Sequence, residues 1–149
     1  MSYDISGKTA LVTGANRGIG TVFAAGVNKI YAGVRDIRKA DPLVEEYGDR
    51  LVPLEIDYAS PGTIATAAES ASDVQVVVSN AGTLTGARVM DEDVLEQFQT
   101  EIEVNVHALI RMAKAFAPVL KANGGGAFVQ LNSIASLKNF PQLATYSAS

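Results

Sequence analysis

Thr9-Ala10-Leu11-Val12-Thr13-Gly14-Ala15-Asn16-Arg17-Gly18-Ile19-Gly20 is the stretch that decides how this chain folds. Thr9 to Val12 is a short apolar run, and Thr13-Gly14 ends it abruptly, as expected of a buried strand that meets a tight turn. Glycines at 14, 18 and 20 let the backbone take positive φ, approach a diphosphate and bring the following helix close to the strand. The helix N-terminus would then offer amide donors and a partial positive charge to the anion. With 13 glycines in the chain, a spaced triplet arises easily by chance, so its position between a first strand and a first helix matters more than the triplet itself. The bland alternative is a glycine-rich turn that binds nothing.

Working outward, strand-like and helix-like segments alternate. Lys29 to Val34 reads as a second strand and Leu51 to Ile56 as a third. Asp41-Pro42 and Ser60-Pro61 each read as an N-cap followed by proline at the first helical position, with Gly48 ending the first of these helices. Val74 to Ser79 is apolar almost throughout, which fits a strand covered on both faces. A single long helix is expected from about Asp91 to Ala122. Phe98, Ile102, Val106, Ile110, Ala113, Phe116 and Leu120 form its apolar stripe, and Gly124-Gly125-Gly126 stops it before a fifth strand, Ala127 to Leu131. Alternation of this kind predicts an α/β fold, a doubly wound parallel sheet of Rossmann type in strand order 3-2-1-4-5.

Composition narrows the function. A net charge of -4 argues against nucleic-acid or anionic-membrane partners. Without cysteine there are neither disulfides nor thiolate metal sites, and the single His107 is assigned no role. No apolar run reaches the ~20 residues of a membrane span, and Met1 to Lys8 is polar, so a cytoplasmic protein is expected.

Thr13-Gly14-Ala15-Asn16-Arg17-Gly18-Ile19-Gly20 resembles the T-G-x-x-x-G-x-G fingerprint of the short-chain dehydrogenases/reductases. Four further matches follow in that family's order: Asp57, Asn80-Ala81-Gly82, Asn105, and Ser133 with Tyr146. Apart from Asn105, they fall just beyond the C-terminal ends of strands, the edge at which open parallel sheets bind ligands. The resemblance implies an enzyme that moves a hydride between NADP(H) and a small carbonyl or alcohol substrate. Tyr146 would serve as general acid/base, Ser133 would hydrogen-bond the substrate oxygen, and Asn105 would sit at a helix kink whose freed carbonyl holds a relay water. Gly14, Arg17, Gly18, Ile19, Arg35, Asp57, Asn80, Ala81 and Gly82 would bind the cofactor. Val34 stands where an acidic residue would accept from the ribose of NAD(H), and Arg35 follows it; NADP(H) is therefore expected, with NAD(H) as the alternative and the neighbouring Asp36 as its argument.

Residues 1–149 are expected to form one dinucleotide-binding domain, incomplete at its C-terminus. In the family a lysine follows the tyrosine by four residues, and Ser149 is the third residue after Tyr146. The first crossover is also short, with eight residues between Gly20 and Lys29; a stretch near Ala25-Gly26 is expected to be missing. Two readings compete with the enzyme: a nucleotide-binding or scaffolding protein that has lost catalysis, and a fragment that only self-associates. Homo-oligomerisation through the long helix is expected.

Overall fold

A computed structural model describes residues 4–18 and 27–149. Ile19, Gly20 and the stretch around Ala25-Gly26 lie outside the described residues. Five parallel strands appear among those described: β1 (Thr9–Thr13), β2 (Lys29–Val34), β3 (Leu51–Glu55), β4 (Val76–Ser79) and β5 (Ala127–Gln130). Their order is β3-β2-β1-β4-β5, as the alternation predicts. The chain moves outward from β1 to β3 and then returns to β4 on the other side of β1. The crevice beyond the C-terminal ends of β1 and β4 is therefore the switch point of the sheet.

Successive residues of β1 point to opposite faces, and both faces are buried. Leu11 packs with Tyr31, Ile64, Val77, Met112 and Phe116, beneath helices α2 (Pro61–Ser70) and α4 (Ala108–Ala122). Ala10 and Val12 pack on the other face with Ile30, Ala32, Val76, Val78 and Leu43; Leu43 comes from α1 (Asp41–Tyr47). That double burial is why the strands read as continuous apolar runs.

The structure corrects the local reading in four places. Asp41 is the first residue of α1, and Ala40 holds the cap position. The capping acid is Asp36, whose side chain accepts from the Arg38 amide and opens a 3-10 turn, Ile37–Ala40, that leads straight into the helix. Ser60 holds the cap position of α2 but makes no side-chain capping bond; its carbonyl accepts from the Thr63 amide at 3.0 Å and the Thr63 hydroxyl at 2.8 Å. Val74 is buried but precedes β4. The long helix is three segments: α3 (Val94–Glu101), a π-helical stretch Ile102–His107, and α4.

Its apolar stripe shifts accordingly. Ala108, Met112, Phe116 and Leu120 are the buried residues of α4, at an even spacing of four, whereas Ile110 is 53% exposed. At about 100° per residue, Ile110 lies two positions and some 200° from both Ala108 and Met112, on the opposite side of the helix.

Candidate functional site

The switch point is held together by side chains from segments distant in sequence. Thr13, 1% exposed at the end of β1, accepts from the backbone amides of both Asn80 and Ala81 at 3.0 Å. The Asn80 amide group donates back to the Thr13 carbonyl at 2.9 Å. Gly14 and Gly18 have φ of 65° and 58°, the left-handed conformation that favours glycine. Gly14 also lies directly against the second turn, since a Cβ there would stand 3.2 Å from Asn80 Nδ2. The first and fourth βα turns thus form one rigid surface, with Asn80 bracing it instead of reaching outward.

Beneath it runs a buried line of hydroxyls. The Tyr58 oxygen lies 2.9 Å from Thr13 Oγ1 and 3.0 Å from Ser79 Oγ. Burial pushes the Tyr58 phenol above its ordinary value despite hydrogen bonds to Ser79 and Thr13, so it stays protonated at neutral pH.

Asn105 occupies the π-helical stretch, and its side-chain amide makes three hydrogen bonds. Its oxygen accepts from the Thr83 amide at 2.9 Å, and its nitrogen donates to the Thr83 carbonyl and the Ser149 hydroxyl, both at 2.9 Å. One turn earlier, the fully buried Glu101 accepts from the amide and the hydroxyl of Thr85 at 2.8 Å each. Alternate residues of the loop after β4 are therefore clamped to the helix. A π segment departs from the regular four-residue hydrogen-bond ladder, which agrees with the helix irregularity expected at Asn105.

Ser149 in turn donates to the Tyr146 carbonyl at 3.1 Å, so Asn105 is tied to α5 (Ala144–Ala148), the helix that carries Tyr146. Ser133 accepts from the Ala135 amide and opens the 3-10 turn Ile134–Ser136, which packs on α5. Asn105 and the elements of Ser133 and Tyr146 are brought together, although the Asn105 side chain is occupied by Thr83 and Ser149 and that of Ser133 by the Ala135 amide. Asp57 is half-buried and accepts from the Ala59 amide at the entry to α2. Gly82 packs on Asn105, with a Cβ there meeting its oxygen at 3.3 Å.

At the end of β2, Val34 is buried while Arg35 is exposed and lines a shallow hollow with Asp36, Ile37, Arg38 and Glu55. Asp36 is paired bidentately with Arg38, at 3.0 and 2.9 Å. That hydrogen bonding holds its carboxyl below the ordinary value. Arg17 is exposed beside Gly18. His107 lies 2.7 Å from Glu103, which also pairs with Arg111, a surface arrangement. Among the described residues no helix is long and apolar enough to cross a membrane.

Tyr58, Ser79, Thr83 and Glu101 were not singled out by motif reading, and Thr13 entered only as the first residue of the fingerprint, with no role for its side chain. Only Thr13 left a signal, as a polar end to an apolar run.

The chain as a whole has close counterparts. Residues 8–149 match the short chain dehydrogenase family, and the chain belongs to it. It is 30% identical to the uncharacterized oxidoreductase YusZ of Bacillus subtilis, over 95% of this chain and 54% of that protein. The NADP-dependent 3-hydroxy acid dehydrogenase of Schizosaccharomyces pombe is 26% identical over 91% of this chain and 58% of its own length. A short chain dehydrogenase of Burkholderia cenocepacia solved in complex with NADP superposes with a TM-score of 0.87 at 36% identity, covering 98% of this chain and 62% of that one. A 7-alpha-hydroxysteroid dehydrogenase complexed with NADH also gives 0.87, at 25% identity, over 97% of this chain and 60% of that one. The chain spans about half the length of the curated relatives it matches.

Proposed function

We propose that this chain is the cofactor-binding portion, one domain over residues 1–149, of an oxidoreductase that moves a hydride between NADP(H) and a small carbonyl or alcohol. The observation that carries this reading is the latch of Asn80 and Ala81 onto Thr13, which joins two glycine-bearing turns at the switch point of the sheet. Gly14, Gly18 and Ile19 would hold the diphosphate, with Asp57 and Asn80-Ala81-Gly82 lining the rest. Arg35 and Arg17 would flank the 2′-phosphate. The pairing of Asp36 with Arg38 supports NADP(H) over NAD(H), because the nearby acid already has its cation and Arg35 is left for the ligand.

When bound, the nicotinamide supplies or accepts the hydride. Tyr146 would exchange a proton with the substrate oxygen, and Ser133 would hold that oxygen in place. A free phenol, with a pKa near ~10, is a poor acid at neutral pH and needs a cation beside it. In the family, a lysine one turn beyond the tyrosine provides it. Asn105 would support a water relay through the backbone of its π segment. We also propose a cytoplasmic location and homo-oligomerisation through the long helix; the outward-facing Ile110 supports the second alone.

The test uses the full-length protein, following NADPH oxidation with a panel of small ketones and aldehydes. Tyr146→Phe is expected to lower kcat by roughly a hundred- to ten-thousand-fold without changing NADPH affinity. Full turnover by that variant, or no NADPH binding by the wild type, would overturn the reading.

A further inference from the structure

Tyr58 follows the proposed cofactor residue Asp57, yet its side chain points away from solvent and is 5% exposed. Its phenol passes the end of β2 to reach Thr13 at the end of β1 and Ser79 at the end of β4. Both of those hydroxyl residues are 1% exposed. The direction of every proton in this line follows from counting. A threonine hydroxyl has two acceptor lone pairs and one proton. Both lone pairs of Thr13 Oγ1 are occupied by the Asn80 and Ala81 amides, so its proton donates to Tyr58. The phenol, accepting from Thr13, donates its own proton to Ser79.

We infer that Tyr58 is a positioning residue for the cofactor-binding turn: by taking the Thr13 proton it keeps both Thr13 lone pairs aimed at the Asn80 and Ala81 amides. The effect on cofactor rests on the function proposed above. The effect on the turn does not. Phenylalanine at this position fills the same space but leaves the Thr13 proton without its acceptor in a buried site. To recover a partner, the hydroxyl must rotate, and one of the two amides then loses its acceptor. The turn carrying Asn80, Ala81 and Gly82 loosens as a result, although Tyr58 itself touches nothing that binds there.

The experiment measures NADPH dissociation constants and backbone amide exchange for full-length wild type, Tyr58→Phe, Thr13→Val, the double variant and Ser79→Ala. Tyr58→Phe should weaken NADPH binding about tenfold, the scale of one buried donor left unmade. Thr13→Val should weaken it at least as much, and the double variant no further, since Tyr58 acts only through Thr13. In the cofactor-free protein, Tyr58→Phe should speed exchange of the Asn80 and Ala81 amides and leave Val77 and Val78 unchanged. Ser79→Ala, which spares the ring, should shift the same two amides by less. Multiplying losses in the double variant, or wild-type exchange at both amides in Tyr58→Phe and Ser79→Ala, overturns the inference. A wild type that binds no NADPH but shows the exchange shift leaves the positioning role standing and refutes the function proposed above.

Discussion

Replacing Gly14 by alanine separates the two demands made on the first turn. Its φ of +65° carries a left-handed penalty of about 1–2 kcal/mol for any side chain. The added Cβ would also lie 3.2 Å from Asn80 Nδ2 and 3.3 Å from Ala81 Cα. Neither neighbour gives easily, because Asn80 and Ala81 are both bonded to Thr13. Crowding of this kind costs about 1–3 kcal/mol, so the total is about 2–5 kcal/mol. Gly7 is the control: its φ is +74°, and a Cβ there would meet nothing within 4 Å. Gly7→Ala should therefore cost only the backbone term, about 1–2 kcal/mol. At about 2–4 °C per kcal/mol, thermal melts should show a Tm loss for Gly14→Ala roughly twice that for Gly7→Ala. NADPH titration should show a loss for Gly14→Ala alone. Equal Tm losses would refute the crowding, and wild-type NADPH affinity in Gly14→Ala would refute the role of the turn.

Arg35→Ala should weaken NADPH binding roughly ten- to a hundredfold while leaving NADH binding nearly unchanged, the scale of a charged hydrogen bond; equal losses in isothermal titration would remove the case for NADP(H). Asn105→Leu breaks three hydrogen bonds and should lower stability by about 1–3 kcal/mol in urea unfolding, with faster exchange of the Thr83 amide as its local signature. Asp73, at the opposite edge of the sheet, gives a pH test. Burial raises its carboxyl, but hydrogen bonds from Lys29 and Tyr31 outweigh that and hold it below its ordinary 3.8. A depressed carboxyl stabilises fully above 3.8 and loses that contribution as pH falls through its folded value. Asp73→Asn should therefore lower Tm at neutral pH by an amount that shrinks in acid; a constant gap in melts across that range would contradict it.

The sheet was legible because a strand covered on both faces can be recognised from its apolar run, and the alternation with helices leaves few topologies. Strand order and the end of β2 were read correctly for that reason. The π segment was not legible in the apolar spacing, since Phe98, Ile102 and Val106 fit a regular helix equally well; only the family resemblance pointed to a kink at Asn105. Ile110 was placed in the core by counting intervals of three and four without summing the angle. Glu101 was invisible because a glutamate on a helix reads as solvated until a loop is found to bury it. The Thr13–Tyr58–Ser79 line has no local pattern at all, since its members are 45 and 21 residues apart. By contrast Gly14 and Asn80-Ala81-Gly82 stood out in the sequence because each motif is compact, and the structure adds that they touch.

The central claim is that the first and fourth turns form one dinucleotide surface at the switch point. Backbone hydrogen exchange of the full-length protein with and without NADPH tests it directly. Protection on binding should appear at residues 14–18, at Arg35 and Asp57, and at 80–82. Protection at the outer edge of β5 alone, or none at saturating NADPH, would contradict it.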